Sequence, residues 1–222
     1  PTVLYNRIKS ILGADNVLEV KLADEELDSY NRHIVHKLKD WDESWDVISD
    51  AVYNHQKVLI VCNRVERAQK IFRQLQDIHS GIDLLLLHSR FKRKDRNDKE
   101  RLLIGIDENG ETFNRFNTSS SACIVVSTQI VEVSLDISFD MMITECAPLD
   151  ALIQRFGRIN RKRTVQQQLK LVYVVAPPED PAEAKPYEAE ILARTYEILP
   201  DNEILQERTL QEKIDYVFPQ IP

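Results

Sequence analysis

The chain has 222 residues, 43% apolar and 29% charged, with a formal net charge of −7; that is enough for one sizeable α/β domain with extensions. Its acidity argues against an unselective electrostatic trap for nucleic acid, no run approaches the roughly 18 apolar residues of a membrane span, and the first residues have no signal-peptide shape. The three cysteines, Cys62, Cys123 and Cys146, stand far apart with no C-x-x-C pair, which suggests neither a zinc site nor a disulfide framework and fits buried thiols in a reducing cytoplasm.

The charge is uneven. Residues 58–178 carry 18 basic and 14 acidic groups, whereas residues 1–57 carry 7 and 11 and residues 179–222 carry 4 and 11. A local basic groove in the middle survives the acidic average.

Residues 1–56 hold helical patterns and read as a linker or helical extension, part of which can complete a sheet. Trp41 and Trp45, spaced i,i+4, read as a packing pair. His33 and His36 form an H-x-x-H on a predicted helix, but no matching acids or histidines follow, so no metal site is expected. Lys57 to Cys62 is an apolar, β-branched run, the mark of a strand buried on both faces. Asn63-x-x-Glu66 resembles a capping box and opens a helix carrying Val65, Ala68, Ile71, Phe72, Leu75 and Ile78. Asp83 to His88 is a second strand, followed by a charged helix from about Arg93 to Ile104. Residues 107–121 form a polar loop. Ala122 to Ser127, Met141 to Thr144 and Leu169 to Val175 are the remaining strands. Strands alternating with crossover helices imply a parallel sheet with helices on both faces. Residues 176–181 are a break, and Tyr187 to Leu199 reads as an acidic helix in a connector spanning 179–222.

Ligands of such sheets gather where strands end at their carboxyl side. Asn63 follows the first of these strands; His88, Arg90 and Phe91 follow the second; Thr128, Gln129 and Asp136 follow the third. The fourth leads into QRFGRINRKR, residues 154–163, with five basic residues and no acid. If 150–160 is helical, Gln154, Arg158 and Arg161 project from one face, and Gly157 leaves room for a close backbone or phosphate. Arginine offers planar, bidentate donors suited to polyphosphate. Arg90 with Phe91 suits a backbone phosphate beside a stacked base, although part of the cluster from His88 to Arg101 is a solvated helix face. Thr128 stands where a hydroxyl and an N–H can meet a phosphate. Asp136 reads as a ribose contact or as a plain cap; its company with Gln154, Arg158 and Arg161 favours the former.

These segments resemble a known family. Ser127-Thr128-Gln129 through Ser134-Leu135-Asp136, then Gln154-Arg155-x-Gly157-Arg158-x-x-Arg161, resemble motifs V and VI of superfamily 2 helicases. Val61-Cys62-Asn63 is similar to motif IV, and His88-Ser89-Arg90-Phe91 to motif IVa. STQIVEVSLDISFD followed by PLDALIQRFGRINR resembles the CRISPR-associated helicase–nucleases of type I systems; Ser134-Leu135-Asp136, where many helicases have a glycine at position 134, Phe139-Asp140 and the Asn160-Arg161 ending carry that narrower likeness. The resemblance implies a RecA-like helicase C-terminal domain over 57–178, the second of two that clasp ATP. It implies that Arg158 and Arg161 reach the ATP phosphates, that Gln154 aligns the cleft, that Asp136 contacts the ribose, and that Asn63, Arg90 and Thr128 line the path of single-stranded DNA, to which the residue pattern itself adds Phe91. Mg2+ would be held mainly by the first RecA-like domain. A guide-RNA surveillance complex would be the partner, and the cytoplasm the setting.

No Gly-x-x-x-x-Gly-Lys-[Ser/Thr] phosphate loop, acidic metal box or nuclease cluster occurs in the chain. The stretch is therefore expected to hydrolyse no ATP and cut no DNA by itself. The rivals are another superfamily 2 motor acting on RNA and a catalytically inert α/β protein-binding module. A dinucleotide-binding domain is a poor third, because no G-x-G-x-x-G follows any strand.

Overall fold

The computed structural model describes residues 2–79, 81–104, 116, 121–132, 138–160 and 169–219. The strands are β1 (His33–Leu38), β2 (Lys57–Val61), β3 (Asp83–Leu87), β4 (Cys123–Ser127), β5 (Met141–Glu145), β6 (Lys170–Val175) and β7 (Glu203–Ile204). The helices are α1 (Thr2–Leu12), α2 (Asp24–Asp28), α3 (Ser44–Tyr53), α4 (Val65–Ile78), α5 (Arg93–Ile104), α6 (Leu149–Phe156), α7 (Ala189–Ile198) and α8 (Leu210–Val217). The strands form one sheet in the order β3-β4-β2-β5-β6-β1-β7. Every pairing is parallel except the short antiparallel β1–β7 ladder.

Alternation along β2 explains the layers. Val58 and Ile60 face one core, with Ile48 and Ala51 of α3 and Ala68, Ile71 and Leu75 of α4. Leu59 and Val61 face the other, with Leu103 of α5, Leu149, Leu152 and Phe156 of α6, Leu192 of α7 and Val217 of α8. All four strand residues are fully buried. A strand with both faces covered must be apolar at every position, which is why the period-2 polarity pattern is missing here.

Both flanks also supply strands: part of residues 1–56 completes the sheet as β1, which was expected as a possibility, whereas the connector after residue 179 was expected as helical. Residues 33–38 pair in register with β6, and 203–204 close the same edge. This corrects the helical placement of His33 and His36. Three residues apart on a strand, they point to opposite faces. His36 stacks on Tyr173 at 4.9 Å, while His33 is buried near Phe156 and contacts the Ile159 carbonyl through Nε2 at 3.2 Å. Among the described residues no cluster of metal-binding side chains occurs. Trp41 precedes α3 rather than lying within it, and both tryptophans pack against the α3–α4 core. The three cysteines are free and buried, and burial pushes the Cys123 and Cys146 thiols up to about 12. No described helix is long and apolar enough to cross a membrane.

Candidate functional site at the carboxyl edge of the sheet

The chain visits β3 and β4 on one side of β2 and then crosses to β5 on the other, so the loops after β2 and β5 meet at the switch point of the sheet. Asn63 sits there. Its backbone N–H donates to the Glu145 carboxylate, its Nδ2 to the Cys146 carbonyl at 2.8 Å, and its own carbonyl accepts Gln129 Nε2 at 2.8 Å. The capping role expected for Asn63 does not occur: Arg64 occupies the N-cap of α4, with no side-chain cap. Tertiary partners have taken the Asn63 amide that a capping box would use.

The remaining Asn63 acceptor, Oδ1, meets the centre of the site. Arg155, fully buried, donates Nη2 to Asn63 Oδ1 at 3.0 Å and to the Tyr187 hydroxyl at 3.4 Å. Its Nη1 donates to Thr144 Oγ1 at 2.8 Å and to the Glu145 carbonyl at 3.2 Å, and its Nε to Glu132 Oε1 at 2.8 Å. A guanidinium has five N–H donors, and here five acceptors from four segments receive them. Sequence reasoning quoted Arg155 but gave it no role. The signal was present: Leu149, Leu152, Arg155 and Phe156 share the buried face of α6, so a charge occupies an apolar position and needs complete pairing there.

Arg158 lies just beyond, half-buried, and donates Nη2 to the Glu132 carbonyl at 2.7 Å. Glu132 thus holds Arg155 with its side chain and Arg158 with its backbone. The helix itself ends at Phe156, which corrects the expectation that 150–160 is one helix presenting Gln154, Arg158 and Arg161 together. Ile159, fully buried, is drawn into a parallel bridge with Phe139, and Phe139 N–H donates to the Arg158 carbonyl at 3.1 Å. Asn160 then adopts a φ of 57°, a left-handed conformation that asparagine tolerates better than most residues. Gln154 is exposed on α6. Among the described residues, a Cβ on Gly157 would meet only the carbonyls of the preceding turn, Gln154 at 3.3 Å and Ile153 at 3.6 Å. Arg161 and Asp136 lie outside the described residues.

At the β3 edge, Arg90 is exposed and paired with Glu66 at 2.5 Å. Phe91 stacks on buried His88, with ring centroids 4.1 Å apart and planes within 7°, and Lys99 Nζ lies 4.7 Å over the Phe91 ring. Burial lowers the His88 pKa, so a neutral ring backs the phenyl group. Thr128 is buried, and its N–H donates to the Leu87 carbonyl at 3.3 Å. That N–H is therefore spent inside the sheet edge and is not presented to a phosphate, as the sequence had suggested.

A RecA-like sheet with a basic motif-VI-type segment at its carboxyl edge, wired to the loops after β2, β4 and β5, is the architecture of a second helicase motor domain. The family model described as CRISPR-associated nuclease/helicase Cas3, C-terminal, matches residues 54–164. The chain belongs to this Cas3 family, as the C-terminal domain of its helicase. It is 32% identical over 208 residues to the CRISPR-associated nuclease/helicase Cas3 of Streptococcus thermophilus, covering 90% of this chain and 21% of that protein. A crystal structure of a CRISPR-associated protein superposes with a TM-score of 0.74 at 27% identity, over 94% of this chain and 24% of that one. T. fusca Cas3 crystallised with AMPPNP superposes with a TM-score of 0.72 at 22% identity, over 94% and 26%, and supports the fold. The chain thus spans about a quarter or less of the length of these relatives.

Proposed function

We propose that this chain is the second motor domain of an ATP-dependent translocase or helicase that acts on single-stranded DNA in CRISPR interference. Arg158 and Arg161 serve as arginine fingers toward the ATP phosphates, Gln154 aligns the cleft and Asp136 meets the ribose. Asn63, Arg90, Phe91 and Thr128 line the strand path, with Asn63 and Thr128 shaping it from within. A base stacking on Phe91 takes the place of the Lys99 ammonium, which can then turn to a phosphate. The first RecA-like domain of the same protein supplies the phosphate loop and most contacts to Mg2+. A guide-RNA surveillance complex in the cytoplasm delivers the strand.

The observation that carries this reading is the Arg155 hub. One buried guanidinium fixes Asn63 on the strand side and Glu132, which anchors Arg158, on the nucleotide side. Strand contact and finger position are therefore parts of one rigid assembly, as a motor that couples hydrolysis to movement requires. The fingers stabilise charge on a transferred phosphoryl group, a contribution of about 10³-fold or more in rate.

The test measures ATP hydrolysis by the full-length protein with single-stranded DNA, with single-stranded RNA and with neither, in wild type, Arg158→Ala and Arg161→Ala. Stimulation by DNA that both variants abolish is expected. Stimulation by RNA alone would reassign the protein to an RNA motor. Silence of both variants would remove the finger role. The isolated 222-residue stretch is expected to hydrolyse nothing.

A further inference from the structure

Two arginines beside Asn63 share one carboxylate from a distant segment. Arg64 Nη1 lies 3.7 Å from Glu183 Oε1, and Arg67 Nη2 lies 3.0 Å from Glu183 Oε2. Each carboxylate oxygen faces a different guanidinium, an arrangement that two oxygens of a phosphate reproduce. Arg64 is the N-cap of the 14-residue α4 and Arg67 lies in its first turn, where the helix end adds partial positive charge. Glu145 also lies within ion-pair distance, 3.6 Å from Arg67 Nε, and is far less exposed than Glu183.

We infer that Arg64 and Arg67 form a binding site for one backbone phosphate of a single DNA strand, and that Glu183 occupies this site as a stand-in until the strand replaces it. The inference rests on the strand path proposed above and adds an address to it, next to Asn63 at the carboxyl end of β2. The exchange is easy on both sides. The three side chains are 31–48% exposed, and ion pairs of that kind are weak and screened by salt. An incoming strand also gains from counterion release. Glu183 can swing into solvent without disturbing its segment, because the neighbouring Ala184 stays buried and Tyr187 stays on Arg155. Glu66 holds Arg90 in the same way but belongs to α4 itself, whereas Glu183 comes from beyond the sheet.

The test is the affinity of the full-length protein for a fluorescent oligodeoxythymidylate, titrated at several salt concentrations. The proteins are wild type, Glu183→Gln, Arg67→Ala, the double variant and Arg90→Ala, each with its melting temperature. Glu183→Gln should bind about two- to fivefold more tightly at low salt, within the range of a partly exposed ion pair. Arg67→Ala should bind more weakly, and the double variant should show no gain from Glu183→Gln. If Glu183→Gln binds like wild type or more weakly while Arg90→Ala loses affinity, the stand-in role is overturned and the strand path stands. If neither Arg67→Ala nor Arg90→Ala changes binding, the strand path fails and this site with it.

Discussion

Arg155 Nε and Glu132 Oε1 lie 2.8 Å apart, in a place where the arginine has no solvent exposure and the glutamate little. Neither charge would be stable there alone, because a buried ion without a partner loses its hydration. The pair links α6 to the 3-10 turn Gln129–Glu132 that follows β4, and the remaining arginine donors reach β5, Asn63 and Tyr187.

Removing the guanidinium should therefore cost about as much as a severe core truncation. Arg155→Met fills the volume but strands the Glu132 carboxylate, an expected loss of about 3–5 kcal/mol in urea unfolding. Arg155→Lys keeps the charge but offers three donors from one point to five acceptors. It should still lose about 1 kcal/mol or more for each buried acceptor left unpaired. A lysine variant with the wild-type midpoint would mean that the network is not structural.

His33 gives the fold a pH dependence. Burial is the main cause that lowers its pKa from 6.5 to about 4, against a raising contribution from the Ile159 carbonyl. Between about pH 4 and 6.5 the unfolded chain binds a proton that the folded chain does not, so stability rises with pH across that window. Stability from this group is complete above about 6.5 and is lost as pH falls toward 4, by up to about 3 kcal/mol. His33→Gln, which keeps a donor for Ile159, should flatten the curve between those limits. An unchanged slope in the variant would place the acid sensitivity elsewhere.

The central strands were legible because burial on both faces leaves only one composition, and Lys57–Val61, Cys123–Ser127 and Met141–Glu145 carry it. The strand His33–Leu38 was not, because its place near the sheet edge, covered only by the two-residue β7, tolerates His36 and Lys37, and the His33–His36 spacing mimics a helix. The basic segment at 154–163 was read as one helical face. Its geometry was misread because Ile159 obeys the bridge to Phe139 rather than the helical period. Asn63 was misassigned for a related reason: a local capping pattern competed with partners 82 and 83 residues away, and only the fold brings those near.

Asp140, which follows Phe139 in the segment that carries the narrower family likeness, has a measurable structural task. Its Oδ2 accepts the Lys57 N–H at 3.0 Å and its Oδ1 the Lys170 ammonium at 3.1 Å, pinning the starts of β2 and β6. Asp140→Asn keeps an acceptor for the backbone and loses a partly exposed ion pair, so it should cost no more than about 1 kcal/mol. Asp140→Ala also orphans the Lys57 N–H and should cost about 1–3 kcal/mol more. Thermal unfolding of the two variants separates these contributions; equal losses would assign the whole effect to the ion pair.

Phe91 offers the sharpest test of where the strand runs. Its ring is braced on one face by His88 and covered on the other by Lys99, so a structural and a binding role both start from the same stack. A base displacing Lys99 would gain stacking worth about 1–3 kcal/mol, which corresponds to roughly five- to 150-fold in Kd. Phe91→Leu retains apolar volume against His88 but has no π-face, and Phe91→Tyr retains both. In the strand-path reading, Phe91→Tyr binds a single-stranded oligonucleotide like wild type, whereas Phe91→Leu loses at least about fivefold in affinity with little change in melting temperature. If Phe91→Leu instead keeps full affinity and only loosens α5, seen as faster amide exchange over residues 93–103, then Phe91 is a brace and the strand does not cross this edge of the sheet.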